Sequence, residues 1–167
     1  MTDTNERASF FQRAQPRPKG IPYEGFNIGR VIEHHWGRTI GEAENTWFST
    51  MTLNANPTYF NAEYARALGH PRVPLHPHLI YLTVFGMSVE DLTEGGTFGA
   101  LVGMEDLKFH APGYPGDTFV ARSTVLARRP SSKRPDTGLV TWRTEGFNQD
   151  STLVVDYVRT NMMNIRS

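Results

Sequence analysis

Apolar and polar positions follow one period in the middle of the chain and another towards its end. Residues 79–87 are apolar around most of a helical circumference, which predicts a buried helix that runs to Leu92 and closes at Gly95 and Gly96. Apolar and polar residues alternate over 119–128 and 139–144, and these segments, with a last one over 153–162, predict long antiparallel strands. The expected fold class is α+β, a curved antiparallel sheet wrapped around a central buried helix.

Shorter elements are predicted before the central helix. β-branched residues over 26–40 favour a strand with irregular edges. Residues 42–52 predict an amphipathic helix that turns Ala43, Trp47 and Met51 towards the core, and Trp142 is expected in the core as well. The turn-forming residues 54–57 end that helix, and a short helix over 62–68 ends at Gly69.

The length of 167 residues is typical of one domain. Pro16 and Pro18 disfavour helix, so residues 1–22 are predicted to form an extended arm and residues 23–167 the domain. Two interpretations of the arm stay open. Phe10 and Phe11 pin it to the body or to a partner subunit, or it is a frayed tail.

Composition excludes several classes of function. A formal net charge of zero argues against nucleic acid and anionic membranes as partners, and the absence of cysteine excludes thiolate nucleophiles and disulfides. The chain has no apolar run of about 18 residues and begins without a signal-peptide pattern, so we expect a cytoplasmic protein. The pairs His34-His35 and His76-Pro77-His78 lack the spaced third ligand of a catalytic zinc site, and no metal is expected.

The informative segment runs over 54–65, from Asn54-Ala55-Asn56-Pro57 to Ala65, and His76-Pro77-His78-Leu79 follows eleven residues later. These residues resemble the MaoC-like hydratases and dehydratases of acyl-CoA thioesters, whose mark is Asp-x-Asn-Pro-x-His-x-Asp in a loop and then Val-His-Gly-Met at the start of the central helix. Residues 37–45, 132–141 and 148–150 resemble the branch that hydrates mesaconyl-CoA or itaconyl-CoA, and the likeness extends from about Tyr23 to Met162.

The resemblance implies a hot-dog fold and a homodimer or dimer of dimers, with an acyl-CoA thioester bound along the subunit boundary. It implies no cofactor beyond the coenzyme A of the substrate. In the family, a carboxylate and an imidazole share one water that adds across the double bond of a 2-enoyl thioester, while backbone amides stabilise the enolate-like oxygen. A branched dicarboxylic C5 acyl group is implied by the branch resemblance alone.

Three positions depart from the family pattern. Asn54 stands at the aspartate position and can orient a water but cannot take its proton. Tyr59 stands at the histidine position and, with an ordinary pKa of about 10, is a weak base at neutral pH. Pro77 stands at the glycine position and has no N–H to donate.

Two functional hypotheses follow. In the first, His76 acts as general acid and base because its ordinary pKa of about 6.5 suits proton transfer, while Asn54 and Tyr59 position water or polarise the thioester. In the second, the chain is an acyl-CoA-binding or regulatory subunit that has lost hydration, or a partner supplies the acids. Structural roles also remain open: a helix cap for His76, turn formation for Asn54 and Asn56, and core packing for Tyr59.

Further residues are predicted to bind substrate. Arg72 or Arg38 suits a second carboxylate, because guanidinium binds carboxylate in a bidentate manner. Lys133 and Arg134 suit the phosphates of coenzyme A. The predicted substrate-binding set is Asn56, Pro57, Arg72, His78, Lys133 and Arg134.

Overall fold

The computed structural model describes residues 19–94 and 100–165. Its three α-helices are α1 (Glu42–Met51), α2 (Ala62–Ala67) and α3 (Pro77–Leu92). Its six strands are β1 (Val31–Glu33), β2 (Arg38–Thr39), β3 (Ala100–Phe109), β4 (Thr118–Pro130), β5 (Thr137–Phe147) and β6 (Leu153–Asn164). Short 3-10 turns span Tyr23–Gly25 and Pro57–Tyr59.

The strands form one antiparallel sheet in the order β1-β4-β5-β6-β3, and β2 pairs with β4. The three long strands β4, β5 and β6 lie side by side, so the strands predicted over 119–128, 139–144 and 153–162 are confirmed. Strand β3 was not predicted. It is an edge strand with two register shifts and Asp106 at a φ of 53°, so its sequence does not alternate regularly.

Helix α3 packs against one face of this sheet. Its first half packs through Ile80 and Val84 on Phe119 and Val155. Its far end packs through Leu92, in a second cluster that includes the fully buried Trp142. The expected α+β arrangement of a sheet around a central helix is confirmed, but α3 is not covered on all sides, since Leu82 is 48% exposed.

The segment before α1 is less regular than a single strand. Within residues 26–40, only β1 and β2 pair with the sheet, and a loop separates them. The prediction for α2 is confirmed: the helix ends before Gly69, whose φ of +88° is a left-handed conformation that glycine adopts without strain.

The predicted orientation of α1 is wrong. Trp47 is 65% exposed and Met51 54% exposed, whereas Asn45 and Phe48 face the interior. Asn45 is buried because its amide group hydrogen-bonds three backbone groups there, which removes the cost of burying it. The apolar residues of the other face line an open groove instead of the core.

The prediction of an arm over 1–22 falls mostly outside the described residues, including Pro16, Phe10 and Phe11. Its last residues lie along the end of α3, where Gly20 donates to the carbonyl of Glu90 at 2.9 Å and Lys19 pairs with Glu90 at 3.1 Å. The predicted helix closure at Gly95 and Gly96 also lies outside the described residues.

Candidate active site

The structure brings Asn54, Tyr59 and His76 together at the start of α3. His76 is the N-cap residue of α3 and is 5% exposed. Its ring centroid lies 4.5 Å from that of Tyr59, and its Nε2 lies 2.6 Å from the side-chain nitrogen of Asn54. Residues that are 22 positions apart in sequence therefore form one cluster.

Local turn chemistry sets the path of the loop that carries Asn54 and Tyr59. The side-chain oxygen of Asn56 accepts from the backbone N–H of Thr58 at 3.1 Å, and Pro57 occupies the first position of the 3-10 turn. The turn-forming interpretation of Asn56 is thus correct for its side chain. The turn places Tyr59 beside His76.

Asn45 holds the cluster in place, although sequence reasoning did not single it out. Its side-chain nitrogen donates to the carbonyl oxygens of Tyr59 at 3.1 Å and Pro74 at 3.0 Å, and its side-chain oxygen accepts from the backbone N–H of His76 at 2.7 Å. One amide therefore ties the loop and the start of α3 to α1. Its neighbours Glu44 and Thr46 gave no sign of burial, because the groups that satisfy it lie 14 to 31 positions away in sequence.

Both ring nitrogens of His76 face N–H donors. Nδ1 accepts from the backbone N–H of His78 at 3.1 Å, and Nε2 meets the side-chain nitrogen of Asn54. The side-chain oxygen of Asn54 is already bonded, because it accepts from the backbone N–H of Asn56 at 3.1 Å. A neutral imidazole has one acceptor nitrogen, so each neutral tautomer loses one of these hydrogen bonds.

Each neutral tautomer of His76 thus gives up one hydrogen bond, which is worth about 1 kcal/mol. With the proton on Nδ1, Nε2 can accept a proton, and with the proton on Nε2, the same atom can donate one. A carboxylate in place of the Asn54 amide would accept from Nε2 and from Asn56 together and would fix the proton on Nε2. The Asn54 amide does not fix the proton of His76 on either ring nitrogen.

Burial lowers the pKa of His76 below its ordinary value, and the neighbouring charge of His78 lowers it further. His76 is therefore neutral at physiological pH. Burial also raises the pKa of Tyr59, so its hydroxyl stays protonated. Within the described part of the chain that hydroxyl has no hydrogen-bond partner, which leaves an O–H donor available beside His76.

The first turn of α3 offers no free backbone donor. Pro77 has no N–H, the N–H of His78 is bonded to His76 Nδ1, and those of Leu79 and Ile80 bond to the carbonyl of His76 at 2.9 and 3.3 Å. A substrate oxygen at the start of this helix can therefore accept a hydrogen bond only from a side chain.

A cavity of about 280 Å³ opens beside the cluster, lined by Tyr59, Pro77, Phe109 and His110 among others. Its size suits an acyl group rather than a whole acyl-CoA. A larger groove of about 660 Å³ lies on the other side of α3, between the exposed apolar face of α1 and Leu82.

Two of the predicted substrate-binding residues lie near the cavity and two lie far from it. The guanidinium of Arg72 lies 5.4 Å from the ring centroid of Tyr114, whose hydroxyl bonds His70 at the cavity wall, and His78 is exposed next to His76. Lys133 and Arg134 line a different cavity with Met162, at the end of the sheet where α3 finishes. Within one chain they do not approach His76.

Arg38, the other candidate for a carboxylate, forms an ion pair with Glu44 at 2.6 Å. In residues 19–94 and 100–165, no group of three or more histidine and acidic side chains could hold a metal ion. No helix in those residues has the length and hydropathy to cross a membrane.

Comparison with known proteins adds the family. A model of the mesaconyl-CoA hydratase family matches residues 1–167. The chain belongs to the mesaconyl-CoA hydratase family. It is 36% identical over 164 residues to the mesaconyl-CoA hydratase of Haloarcula hispanica, a match that covers 98% of this chain and 45% of that protein. The chain thus spans about half the length of the curated relatives it matches.

Solved structures confirm the fold. A Chloroflexus aurantiacus protein provisionally described as a MaoC domain protein dehydratase matches with a TM-score of 0.83 at 28% identity, over 92% of this chain and 43% of that one. A Mycobacterium tuberculosis protein with a double hot-dog fold matches with a TM-score of 0.77 at 23% identity, over 88% of this chain and 45% of that one. The predicted hot-dog fold is confirmed, as is the resemblance to MaoC-like proteins.

Proposed function

We propose that this chain forms a hydratase and dehydratase site for a short, branched dicarboxylic enoyl-CoA, with His76 as the group that transfers the proton. The observation that carries the proposal is the position of His76 at the start of the central helix, next to Tyr59 and Pro77 of a cavity wall, with a pKa lowered by burial and a nitrogen donor at each ring nitrogen. Membership of the mesaconyl-CoA hydratase family supports the substrate class.

In the hydration direction, water replaces the Asn54 amide nitrogen as the hydrogen-bond partner of His76 Nε2, and Nε2 takes a proton from this water while the water oxygen bonds to C3 of the enoyl thioester. Negative charge develops on the thioester oxygen, and the same Nε2 then returns the proton to C2. Asn54 orients the water through its amide. The Tyr59 hydroxyl donates to the thioester oxygen, since the first turn of α3 has no free N–H to do so.

The assay is the loss of enoyl-thioester absorbance on mesaconyl-CoA, itaconyl-CoA and crotonyl-CoA. We expect turnover of a dicarboxylic substrate and a loss of at least about 100-fold in His76→Ala. His35→Ala is the matched control, because His35 is also a hydrogen-bonded histidine but lies against Asp91 near the far end of α3. Equal losses in both variants would contradict the role of His76.

A second candidate function is an acyl-CoA-binding subunit without turnover. It is favoured by the surroundings of His76, since no carboxylate of the described residues hydrogen-bonds its ring. In that case acyl-CoA esters raise the midpoint temperature of unfolding of the protein by mass action, while the absorbance of the enoyl thioester stays constant. The same preparation, measured by both methods, separates the two functions.

We also propose that a second hot-dog unit, most simply a second copy of this chain, pairs along β3. This strand is the edge of the sheet, and its exposed apolar side chains are Leu101, Val102, Leu107 and Phe109. A partner would also bring a second copy of the Lys133 and Arg134 loop. Light scattering should give twice the mass of one chain, and the Val102→Lys variant should have a lower mass.

A cytoplasmic location stays a prediction from the sequence.

A further inference from the structure

The apolar groove between α1 and α3 leaves large side chains in water. Trp36, Trp47 and Met51 are each more than half exposed, and Leu82 of α3 is nearly so. The groove has a volume of about 660 Å³, and Gly86 adds space to it, since a Cβ at that position would meet no atom within 4 Å. An exposed apolar surface of this kind marks a place where another group packs.

The first described residues run along α3 towards its end. Gly20 donates to the carbonyl of Glu90 at 2.9 Å, and Ile21 donates to that of Leu92 at 3.4 Å. The chain and the helix therefore advance in the same direction at this point. The residues before Lys19 are consequently directed back along α3, towards the part of this helix that lines the groove.

Glu90 joins this point of the chain to the rim of the groove. Its carboxylate lies 3.1 Å from Lys19 Nζ and accepts from the indole N–H of Trp36 at 2.6 Å. Trp36 lines the groove, and so does Gly86, which lies about one helical turn before Glu90. The groove thus opens next to the place where the described chain begins.

The segment before Lys19 contains two adjacent aromatic residues, Phe10 and Phe11, which lie outside the described residues. Phe11 is eight positions from Lys19, and the intervening prolines favour an extended chain, which over that length spans about 25 Å. The distance along α3 from Glu90 back to Leu79, which also lines the groove, is about 16 Å. Both rings can therefore reach any part of the groove.

We propose that Phe10 and Phe11 occupy the apolar groove of their own chain and pack against α1 and α3. This packing removes both rings and the exposed tryptophans of the groove from water. Because α1 carries Asn45, a segment bound there also holds the helix that positions His76. The inference concerns the arm and does not rest on the proposed function.

A disulfide scan tests the position of the arm. The chain has no cysteine, so two introduced cysteines report only on each other. Gln12→Cys keeps both rings and is combined with Thr83→Cys on α3 or with Met51→Cys on α1, one from each wall of the groove. Under mild oxidation, at least one pair should form a disulfide within a single chain about tenfold faster than Gln12→Cys with Leu126→Cys, an exposed position on β4 outside the groove. Non-reducing electrophoresis separates links within one chain from links between two chains.

Tryptophan fluorescence tests the same position without a crosslink. In Phe10→Ser/Phe11→Ser, quenching by acrylamide should rise about twofold, because Trp36 and Trp47, two of the three tryptophans, become accessible. Phe60→Ser removes an exposed aromatic ring outside the groove and should leave the quenching unchanged.

Each contrary outcome assigns the groove differently. A disulfide that links two chains overturns the inference and assigns the groove to the arm of a second copy. Equal rates for the groove pairs and the control pair overturn it in favour of a frayed arm. Unchanged quenching in Phe10→Ser/Phe11→Ser overturns it as well, and if acyl-CoA then lowers the quenching of that variant, the groove belongs to the substrate.

Discussion

Two buried histidines in this protein are held in opposite ways. His34 donates from Nδ1 to the carboxylate of Asp91 at 3.0 Å and accepts at Nε2 from the Ser123 hydroxyl, whose oxygen lies 2.8 Å from that of Thr144. One tautomer of His34 satisfies every group in this series of hydrogen bonds. At His76 no tautomer does so, because an amide and a backbone N–H occupy the two ends of the ring.

The difference shows that a carboxylate beside a histidine does not by itself make a site. His34, Asp91 and Ser123 reproduce the order of a catalytic triad, but all three are buried and the proton is fixed. Burial lowers the pKa of His34, against the opposing effect of Asp91. His76 lies beside a cavity with its proton unassigned, and we therefore place the chemistry there and assign stability to His34.

The largest expected effect is on activity, from His76→Ala. Turnover should fall by about 100- to 10 000-fold, because the group that moves the proton is gone. The free energy of unfolding should fall by only about 1 kcal/mol, the value of a lost helix cap. Steady-state kinetics and urea unfolding measure the two. If His76→Ala instead loses much of its stability but keeps its turnover per folded molecule, the role of His76 is structural and not catalytic.

Asp91→Ala should have the opposite outcome. The carboxylate accepts from His34 Nδ1 and His35 Nδ1, and its loss leaves a buried donor unsatisfied, which costs about 3 kcal/mol. Turnover per folded molecule should not change. Glu90→Ala is the control, since Glu90 pairs with Lys19 near the surface and its loss should lower stability much less than the loss of Asp91.

The Asn45→Ala variant tests how the site is held. It removes the amide that joins the Tyr59 and Pro74 carbonyls to the His76 N–H, so we expect about 2 kcal/mol less stability and a lower kcat. Thr46→Ala, one residue along on the exposed face of α1, should change neither. Full activity in Asn45→Ala would show that His76 is positioned by other contacts.

The smallest kinetic effect is expected from Tyr59→Phe. Loss of one hydrogen-bond donor to the thioester oxygen should lower kcat/KM about tenfold. The thermal midpoint should stay the same because the hydroxyl has no partner in the described residues. Tyr64→Phe, on the exposed side of α2, is the control. Unchanged kinetics in Tyr59→Phe would leave Tyr59 with a packing role only.

Periodicity predicted the long strands and the central helix because burial of a sheet face or of a whole helix leaves a regular pattern, as over 119–128 and 79–87. It failed for α1, where the buried Asn45 is satisfied by backbone groups far away in sequence. It also missed the irregular edge strand β3. Regular packing can be read from sequence, whereas a polar group satisfied at long range cannot.

The candidate site followed the same rule. The resemblance brought Asn54, Tyr59 and His76 into one proposal, and the structure places them in contact. It did not indicate that both ring nitrogens of His76 face donors, since that depends on the backbone N–H groups of Asn56 and His78. Lys133 and Arg134 were grouped with them by substrate chemistry, but the chain places this loop at the other end of the sheet.

The most direct test of His76 as the proton-transferring group is the pH dependence of kcat/KM on mesaconyl-CoA, in the wild type and in Asn54→Asp. Burial holds the pKa of His76 below about 6.5, so wild-type activity should persist at neutral pH and decline only below that value. Stability from neutral His76 is full above about pH 6.5 and is lost as the pH falls through the folded-state pKa.

In Asn54→Asp the new carboxylate favours the imidazolium, so the pKa of His76 should rise and the decline in activity should begin at a higher pH. The stability contribution should change sign, being full below about pH 6.5 and lost as the pH rises through the raised pKa. Such a shift would support His76 as the proton-transferring group. A wild-type profile with no acidic limb, or a limb at the same pH in both proteins, would contradict it.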